Sequence, residues 1–363
     1  MKKRFQLFAG IVLVIAAWVW ITSSPIDAVQ WEPSGAEVRA AATISIEPEN
    51  LTLLSMQDSF GPEDLTVDAF GSLYASSANG FLVKKSSQQT QFTAWCATNG
   101  FPLGLRFDGH GNLIVADAMH GLLSIASDCE VTVLVDTYQG VRLGFVDAVA
   151  IAQNGTIYFT DASAKFTPRV YTNPTVASHL DLLEHGGHGR VFAYTPDVRS
   201  LELLATGLQF ANGIVVSHDQ KSLLVNETGN YRILKIPLSG HNKGKAEVLV
   251  DNLPGFPDNL SLASDGGYWV GLAAPRSALL DALATWPRVR NLIATLPLFM
   301  QPQPASKGHL LKVNQHGMVV LSIVEPNSKL ALTTGVFEYK QDLYITSLTE
   351  PHVAVINSAT ISL

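Results

Sequence analysis

The sequence predicts an all-β fold, a six-bladed β-propeller that carries an N-terminal transmembrane helix and a helical insertion near the channel mouth. Three observations predict it. One hairpin pattern recurs six times, most copies follow one another at the length of a four-stranded blade, and the chain begins with an uninterrupted apolar segment. The 363 residues carry a net charge of −7, so we expect no nucleic-acid partner.

The first 22 residues are predicted to form a cytoplasmic tip and a transmembrane signal-anchor. Lys2, Lys3 and Arg4 precede a stretch without charges from Phe5 to Thr22. As a helix, this stretch would be about 27 Å long, close to the thickness of a hydrocarbon core. The basic residues favour a cytoplasmic N-terminus, so we expect a single-pass protein with its propeller on the periplasmic, lumenal or extracellular side. A cleaved signal peptide is the alternative.

Residues 23–50 are predicted to be a stalk that leads into the propeller, which we expect to fill residues 51–363. Pro25, Pro33 and Pro48 interrupt any long helix in the stalk. Cys96 and Cys129 lie on neighbouring predicted strands. An oxidising compartment would permit a disulfide between them, and two buried free thiols are the alternative.

Each copy of the repeated pattern is an alternating apolar run, a polar turn that often contains Gly, and a β-branched or aromatic run. The copies begin at Asp64, Gly104, Ala148, Gly213, Asn259 and Gly335. Two of the intervals between copies are long, which predicts insertions at about 164–188 and 273–305. An all-β sandwich with similar hairpins is the alternative architecture.

The second insertion is predicted to be helical. Between Arg276 and Phe299 its apolar residues recur at helical spacing. Such a helix outside the blades could be a lid over the channel mouth or a membrane-facing patch, and ordinary packing on the rim is the alternative.

A candidate metal site comes from the residues that precede the first strand of each copy. Blades are related by rotation, so these residues should face the same rim and the central channel. Four of the six copies present an oxygen ligand there, namely Glu63, Asp147, Asn212 and the pair Asp258 and Asn259. Carboxylate and amide oxygens are the ligands that Ca²⁺ prefers, and a cation would offset their repulsion. Each residue alone could equally be a turn residue that bonds the backbone.

Four sequence motifs resemble the strictosidine synthase-like family, in particular its membrane-anchored branch. They are Pro102-Leu-Gly-Leu-Arg-Phe-Asp, Gly155-Thr-Ile-Tyr-Phe-Thr-Asp-Ala-Ser, Gly207-Leu-Gln-Phe-Ala-Asn-Gly and Asp251-Asn-Leu-Pro-Gly-Phe-Pro-Asp-Asn. The resemblance covers about residues 25–360. It implies a six-bladed propeller in a superfamily that includes paraoxonases and gluconolactonases, whose hydrolytic members hold a catalytic calcium in the channel.

The resemblance also assigns ligands. Glu63 matches the first calcium ligand of the paraoxonase-like lactonases, Asn212 a ligand Asn, and Asp258 with Asn259 their Asp-Asn pair, while Asp147 stands where they have Asn. Asp64 matches a ligand of their second, structural calcium. The partner position of Asp64 is Ala148 here, so a second ion is not expected.

The catalytic histidines that the resemblance implies are missing. Leu103 stands in place of the first, and the second falls at Asp117. His120, three residues further on, could reach the same rim, although a surface role is its alternative. We therefore take Asp258, Asp117 and His120 as catalytic candidates, with Asp117 also able to cap a turn.

Two further groups bear on function. The catalytic glutamate of strictosidine synthase falls at Thr334, so carbon–nitrogen condensation is poorly supported; Glu338 is near in sequence but predicted to face elsewhere. Three histidines with Glu184 form a second cluster that could bind zinc. A solvated loop at the channel mouth is its other interpretation. The histidines are His179, His185 and His188.

Three functions remain open from the sequence. The first is a calcium-dependent hydrolase of lactones or aryl esters, in which the metal polarises the ester carbonyl. The second is a non-catalytic, membrane-anchored propeller that binds a ligand or partner, and the third is a strictosidine synthase-type condensing enzyme.

Overall fold

Six antiparallel β-sheets follow one another along the chain and surround a central channel. This computed structural model describes residues 23–33, 35–326, 329–357 and 361. The architecture confirms the predicted all-β fold and its six blades. The predicted transmembrane helix lies in residues 1–22, outside the described residues. None of the helices that are described has the length and apolarity needed to cross a membrane.

The strands alternate in direction within each blade and are joined mainly by short turns. The strands of the first half of the chain are β1 (Ala42–Ser45), β2 (Thr52–Ser55), β3 (Leu65–Val67), β4 (Leu73–Ser76), β5 (Phe81–Lys85), β6 (Thr93–Ala97), β7 (Pro102–Phe107), β8 (Leu113–Asp117), β9 (Gly121–Ile125), β10 (Val131–Val135), β11 (Thr137–Tyr138), β12 (Val141–Arg142), β13 (Val146–Ile151), β14 (Ile157–Asp161), β15 (Gly189–Thr195) and β16 (Ser200–Leu208). Those of the second half are β17 (Ala211–Val216), β18 (Ser222–Glu227), β19 (Arg232–Pro237), β20 (Glu247–Val250), β21 (Gly255–Leu262), β22 (Tyr268–Pro275), β23 (Gly308–Val313), β24 (Val319–Glu325), β25 (Thr333–Tyr339), β26 (Asp342–Ser347) and β27 (His352–Asn357).

Each blade begins at the channel and ends at the outside. Blades one to five are β3–β6, β7–β10, β13–β16, β17–β20 and β21–β24, and blade six contains β25–β27. Strands β11 and β12 form a separate two-stranded ribbon. First strands of neighbouring blades contact one another, which places them around the channel. The six sequence repeats coincide with the first hairpin of the six blades.

The N-terminal part of the chain completes two blades. Strand β2 pairs antiparallel with β27 and supplies the outer strand of blade six, with Leu53 opposite Ala354. Strand β1 adds to β24 in parallel as a fifth strand of blade five, with Ala42 opposite Leu321. The ring is therefore closed by hydrogen bonds between the two ends of the chain rather than by a covalent link.

Side-chain caps explain the polar turn that recurs in the repeats. In the turn between β3 and β4, Asp68 Oδ1 accepts the backbone N–H groups of Phe70 and Ser72 at 2.9 and 2.8 Å. Gly71 in the same turn has a φ of 81°, a conformation that costs glycine little. Asp108 caps the corresponding turn of blade two in the same way.

Both insertions contain helices. The first holds α1 (Pro168–Tyr171) and α2 (Pro174–Glu184), and the second holds α3 (Ala278–Ala282) and α4 (Pro287–Ala294). Helix α2 starts with Asn173, whose Oδ1 accepts the N–H of Thr175 at 2.8 Å, and with a proline in its first turn. The second insertion is helical as predicted, although it forms two short helices and not one continuous helix.

Arg290 of α4 ties both insertions to the N-terminal segment. Its side chain is fully buried, and its guanidinium donates to the carbonyl oxygens of Leu183, Ala284 and Val29. The N–H of Val29 in turn donates to Glu184 O at 2.8 Å. Five N–H donors in one buried side chain can satisfy several carbonyl groups that would otherwise lack partners. The segment after residue 23 therefore packs along the propeller.

The two cysteines form a disulfide. Cys96, in the outer strand of blade one, is bonded to Cys129, which follows the third strand of blade two. The pairing that the sequence left open is thus present, and it links two adjacent blades at their outer edges.

Candidate metal centre

The candidate ligands lie at the start of the first strands, within a recurrent β-bulge. The pairing of the first strand with the second is interrupted at Val146–Val149, Ala211–Ile214 and Pro257–Leu260 in blades three, four and five. Asp147, Asn212 and the pair Asp258–Asn259 occupy these interruptions. A bulge rotates side chains out of the regular alternation, so it can direct them at the channel.

The predicted position of these residues needs a small correction. The sequence placed them before the first strands, whereas Asp147, Asn212 and Asp258 lie within strands that begin one to three residues earlier. Only Glu63, two residues before β3, fits the original description. The equivalent bulges of blades two and six, at Pro102–Leu105 and Thr333–Val336, carry Leu103 and Thr334.

Close backbone packing brings blades four and five together at this level. A Cβ on Gly213 would lie 2.5 Å from Asp258 O and 2.6 Å from the Cα of Asn259. No side chain fits there, which is why the residue after Asn212 is glycine. Asn212 is thereby held next to Asp258 and hydrogen-bonds its carboxylate.

All five candidate ligands are buried, and they converge. The Nδ2 of Asn259 donates to Glu63 Oε1 at 2.5 Å and to Glu63 O at 3.1 Å. Thr334 Oγ1 donates to the same Glu63 carbonyl at 2.6 Å. The exposed fraction of these ligands does not exceed 6%. Blades one, five and six are thus joined directly at the channel.

The charges of the three carboxylates oppose one another. Burial, with the charges of Asp258, Asp147 and Asp64, raises the pKa of Glu63 well above its usual range. Burial and the charges of Asp258 and Asp161 do the same to the pKa of Asp147. Burial raises the pKa of Asp258 to about 8, although the hydrogen bond from Asn212 counteracts it. No described lysine or arginine forms an ion pair with any of the three.

Two oxygen atoms of the predicted ligands have no hydrogen-bond partner although they are buried. They are Glu63 Oε2 and Asn212 Oδ1. Buried oxygens without partners cost free energy, and a cation would offset that cost. Across the described ranges, no three carboxylate, imidazole or thiol groups come close enough to enclose a metal by themselves. The donor set that fits an ion here therefore has to include the two amides.

Asn226 is a further member of the centre that the sequence reasoning missed. It is the last residue but one of β18, before Glu227. It is fully buried and donates from Nδ2 to Asp258 O at 2.7 Å, while its Oδ1 has no partner. Its position in the second strand, rather than before a first strand, kept it out of the repeat comparison.

The catalytic candidates Asp117 and His120 have structural partners. Asp117 Oδ1 accepts the N–H groups of Met119 and His120 at 2.9 Å, and the ring of His120 bonds Asn99 O at 3.1 Å. Asp117 ends the second strand of its blade, as Asp161 and Glu227 do in theirs. Those two accept N–H groups of the loop before the first strand of their own blade and pair with Arg190 and Arg232. Asp117 instead caps its own turn, and its buried Oδ2 has no partner.

Asp64 and Glu338 are committed to other contacts. Asp64 Oδ2 lies 2.6 Å from Arg106 Nη1, and its Oδ1 accepts the N–H of Leu65. This ion pair provides the positive charge at the position where the family resemblance implies a second calcium. Glu338 lies in β25 and accepts Trp269 Nε1 at 2.8 Å, away from the Thr334 end of that strand.

The predicted solvated histidine loop is wrong. Glu184 is buried at the end of α2, and it binds His188 at 2.6 Å and Lys165 at 2.6 Å. His185 is also buried and stacks on Trp31 with 4.1 Å between ring centroids. The contact arises because the N-terminal segment covers α2. The histidines therefore contact different residues, and within the described chain they do not form a zinc site.

The fold and centre define a class: a six-bladed propeller whose channel gathers acidic and amide side chains. Two family models match the chain, strictosidine synthase-like, N-terminal, at residues 49–85 and strictosidine synthase at residues 147–241. The chain is 33% identical to protein strictosidine synthase-like 7 of Arabidopsis thaliana, over 80% of this chain and 77% of the relative. It is also 33% identical to the adipocyte plasma membrane-associated protein of Salmo salar, over 82% and 75%. The chain belongs to the strictosidine synthase-like family.

Solved structures support the fold independently. A gluconolactonase from Xanthomonas campestris superposes with a TM-score of 0.63 at 17% identity, over 91% of this chain and 99% of its own. Regucalcin from Agrobacterium tumefaciens, a calcium-binding protein, superposes with a TM-score of 0.60 at 13% identity, over 87% and 95%. At these identities the similarity shows the propeller fold alone.

Proposed function

We propose that this chain is a calcium-dependent hydrolase of lactones or aryl esters, with the metal in the central channel. One observation carries the proposal. Glu63, Asp147 and Asp258 are buried together with no described cationic partner, and unpartnered oxygens of Glu63 and Asn212 lie among them. The structural similarity to a gluconolactonase and to a calcium-binding propeller agrees with this choice of metal and substrate.

The residues present fit a calcium ion. Three carboxylates and the amides of Asn212 and Asn259 are hard oxygen donors, and Ca²⁺ accepts six to eight of them in flexible geometry. When bound, the ion would supply a Lewis acid that polarises an ester carbonyl. Burial of the ligands also keeps bulk water out of the centre, which strengthens electrostatic interactions there.

Asp258 is the residue best placed to handle a proton. It is buried at the centre, and burial raises its pKa to about 8, so its surroundings disfavour the charged form. Asn259 holds Glu63 in position through its Nδ2. Asp117 and His120 stay candidates from the sequence, but their hydrogen bonds to the loop 99–120 favour a structural role.

The test is hydrolysis of a panel of lactones and phenyl acetate by the purified full chain, with added Ca²⁺ or with a chelator. We expect turnover that needs Ca²⁺ and is lost in Asp258→Asn. Asp197→Asn removes a carboxylate from the exposed turn after β15 and should leave turnover unchanged. Activity that persists in the chelator, or no activity on any ester, would contradict the proposal.

A non-catalytic, ligand-binding propeller is the second candidate. It is favoured by one observation: the structure describes no histidine in hydrogen-bond contact with Glu63, Asp147 or Asp258. Calorimetric binding of Ca²⁺ by a protein that turns over no ester would select this function. Carbon–nitrogen condensation gains no support, because Thr334 supplies a hydroxyl that is bonded to Glu63 O and no acid or base.

For localisation, we propose a single-pass membrane protein with its propeller on the non-cytoplasmic side. The apolar segment after Arg4 and the name of the adipocyte plasma membrane-associated relatives support it. The disulfide between Cys96 and Cys129 fits an oxidising compartment. Protease protection of the propeller in intact vesicles is the measurement that checks this topology.

A further inference from the structure

The second insertion exposes an apolar surface that neither the fold nor the proposed hydrolysis uses. We call it the insertion face; it consists of Leu279, Trp286, Leu292, Leu298, Phe299 and Met300. Trp286 is 61% exposed and Phe299 is 84% exposed. Large apolar side chains that cluster on a surface usually mark a site of contact with a protein or a membrane.

The insertion face lies at the rim that carries the candidate metal centre. The insertion joins the end of β22 to the start of β23, and β22 runs antiparallel to β21. The end of β22 is therefore level with the start of β21, where Asp258 lies. A surface that docks through the insertion face would be close to the channel mouth.

The N-terminal segment packs against the buried side of the same insertion. Ile26 packs in one apolar cluster with Leu280 and Ala294, and the N–H of Ala28 donates to Asn291 Oδ1 at 2.9 Å. The described part of the chain begins at Ser23. Ile26 follows three residues later, and an extended chain of that length spans at most about 10 Å. The preceding 22 residues, basic and then uncharged over eighteen positions, lie outside the structure. An apolar segment long enough to enter a bilayer thus joins the fold beside an exposed apolar surface.

The charge of the insertion suits a lipid surface. Residues 276–307 include Arg276, Arg288, Arg290 and Lys307, and their one acidic residue, Asp281, is paired with Arg276. Arg290 is buried, whereas Arg288 and Lys307 are exposed. Basic side chains are attracted to anionic headgroups, and tryptophan is enriched at the interface between water and hydrocarbon. A lipid bilayer, whose headgroups carry phosphate groups, is the partner that matches apolar, aromatic and basic side chains together.

We infer that the insertion face lies in the headgroup region of a lipid bilayer and turns the channel mouth towards the membrane. This contact is separate from the proposed N-terminal anchor, and it does not depend on whether the centre hydrolyses esters. Leu298, Phe299 and Met300 enter the interface, and Arg288 and Lys307 lie at the level of the lipid headgroups.

The test uses the full chain in vesicles of phosphatidylcholine and phosphatidylserine. Both cysteines of the sequence are in the disulfide, so Phe299→Cys introduces a single free thiol for an environment-sensitive fluorophore. The matched control is Phe70→Cys, because Phe70 is 90% exposed in the turn after β3, at the opposite rim. Both side chains are exposed, so neither substitution should disturb the fold. Quenchers are a spin label on the lipid acyl chain and iodide in the water.

We expect the lipid quencher to remove roughly half of the fluorescence at position 299 and little at position 70, as for a side chain 5–10 Å into the interface. Equal quenching at the two positions would overturn the inference. So would a label at 299 that is shielded from iodide but untouched by the lipid quencher, because a protein partner or a second copy would then cover the face. Co-flotation with vesicles reports the anchor separately: a floating protein with an unquenched label leaves the anchor standing and removes the docking surface.

Discussion

Asn259 donates a hydrogen bond from Nδ2 to Oε1 of Glu63 at 2.5 Å, across 196 residues of sequence, and so joins blade five to blade one at the channel. The bond places a carboxylate and an amide, both expected to bind metal, in direct contact. It also orients the Glu63 side chain while leaving Oε2 without a partner.

Removing the charge of Glu63 should abolish the stabilisation that Ca²⁺ gives. A ligand that binds only the folded state raises the melting temperature, and the rise grows with ligand concentration. We expect Ca²⁺ to raise the Tm of the wild type and to leave that of Glu63→Gln unchanged in differential scanning calorimetry. Glu247→Gln, at an exposed position, should respond like the wild type. An equal Ca²⁺ response in Glu63→Gln would show that the ion binds elsewhere.

His185 should make the stability depend on pH between about 4 and 6.5. Burial lowers the pKa of His185 to about 4, below its ordinary value of 6.5, against the opposing hydrogen bond to Asn230. Between these values the unfolded chain binds a proton that the folded protein does not, so stability falls as the pH falls through this window. The slope for one group is about 1.4 kcal/mol per pH unit.

The variant His185→Phe keeps an aromatic ring against Trp31 and removes the titrating group. We expect its denaturant-unfolding free energy to fall less steeply than that of the wild type below pH 6.5, by about one proton's slope. His110→Phe, in an exposed turn, is the control and should keep the wild-type slope. Parallel pH profiles for wild type and His185→Phe would contradict the assignment.

Gly271 should not tolerate alanine. A Cβ at this position would overlap the backbone of Thr334 and Gly335 in the first strand of blade six. The two blades would have to separate, which we expect to cost about 3 kcal/mol of unfolding free energy. In Gly109→Ala the new Cβ meets nothing within 4 Å, so urea denaturation should show that its stability changes little. Equal midpoints for the two variants would mean that the blade interface adapts.

Breaking the disulfide should destabilise the propeller without altering the metal centre. Cys96 and Cys129 are 33 residues apart, and a crosslink over such a loop stabilises the folded state by about 3.5 kcal/mol through the unfolded chain. The double variant Cys96→Ser with Cys129→Ser should unfold at lower urea concentration and still bind Ca²⁺ in a calorimeter. Loss of Ca²⁺ binding in a variant that is still folded would show that the outer crosslink shapes the channel.

The blades were predictable from the sequence because their signal is local. Each first hairpin combines alternating apolar residues with a turn such as Asp68 to Ser72, and both features are visible within twelve residues. The candidate ligands could be proposed because rotation places equal repeat positions at one rim. The bulge that turns Asp147 and Asp258 towards the channel leaves no mark in the residue pattern, since it depends on pairing with the next strand.

The prediction that the histidine cluster lies in a solvated loop was wrong because it depended on contacts distant in sequence. The burial of His185 depends on Trp31, which lies far away in the sequence, and the charge of Arg290 from the second insertion lowers the pKa of His185 further. The Gly-rich stretch taken by itself predicts a loop. Asn173 and Pro174 nevertheless indicate that a helix, α2, begins before it. Asn226 was missed because it lies in the second strand of blade four, whereas the repeat comparison covered only residues near the first strands. Its hydrogen bond to Asp258 O links it to the first strand of blade five.

The pairing of β2 with β27 sets an order of events during synthesis. Leu53 finds its partner Ala354 about three hundred residues later, so β2 has no partner strand until the end of the chain has left the ribosome. Until then the nascent protein carries an incomplete circle with two open strand edges, which are sites for wrong pairing with other chains. Truncation near the C-terminus would keep it in that state.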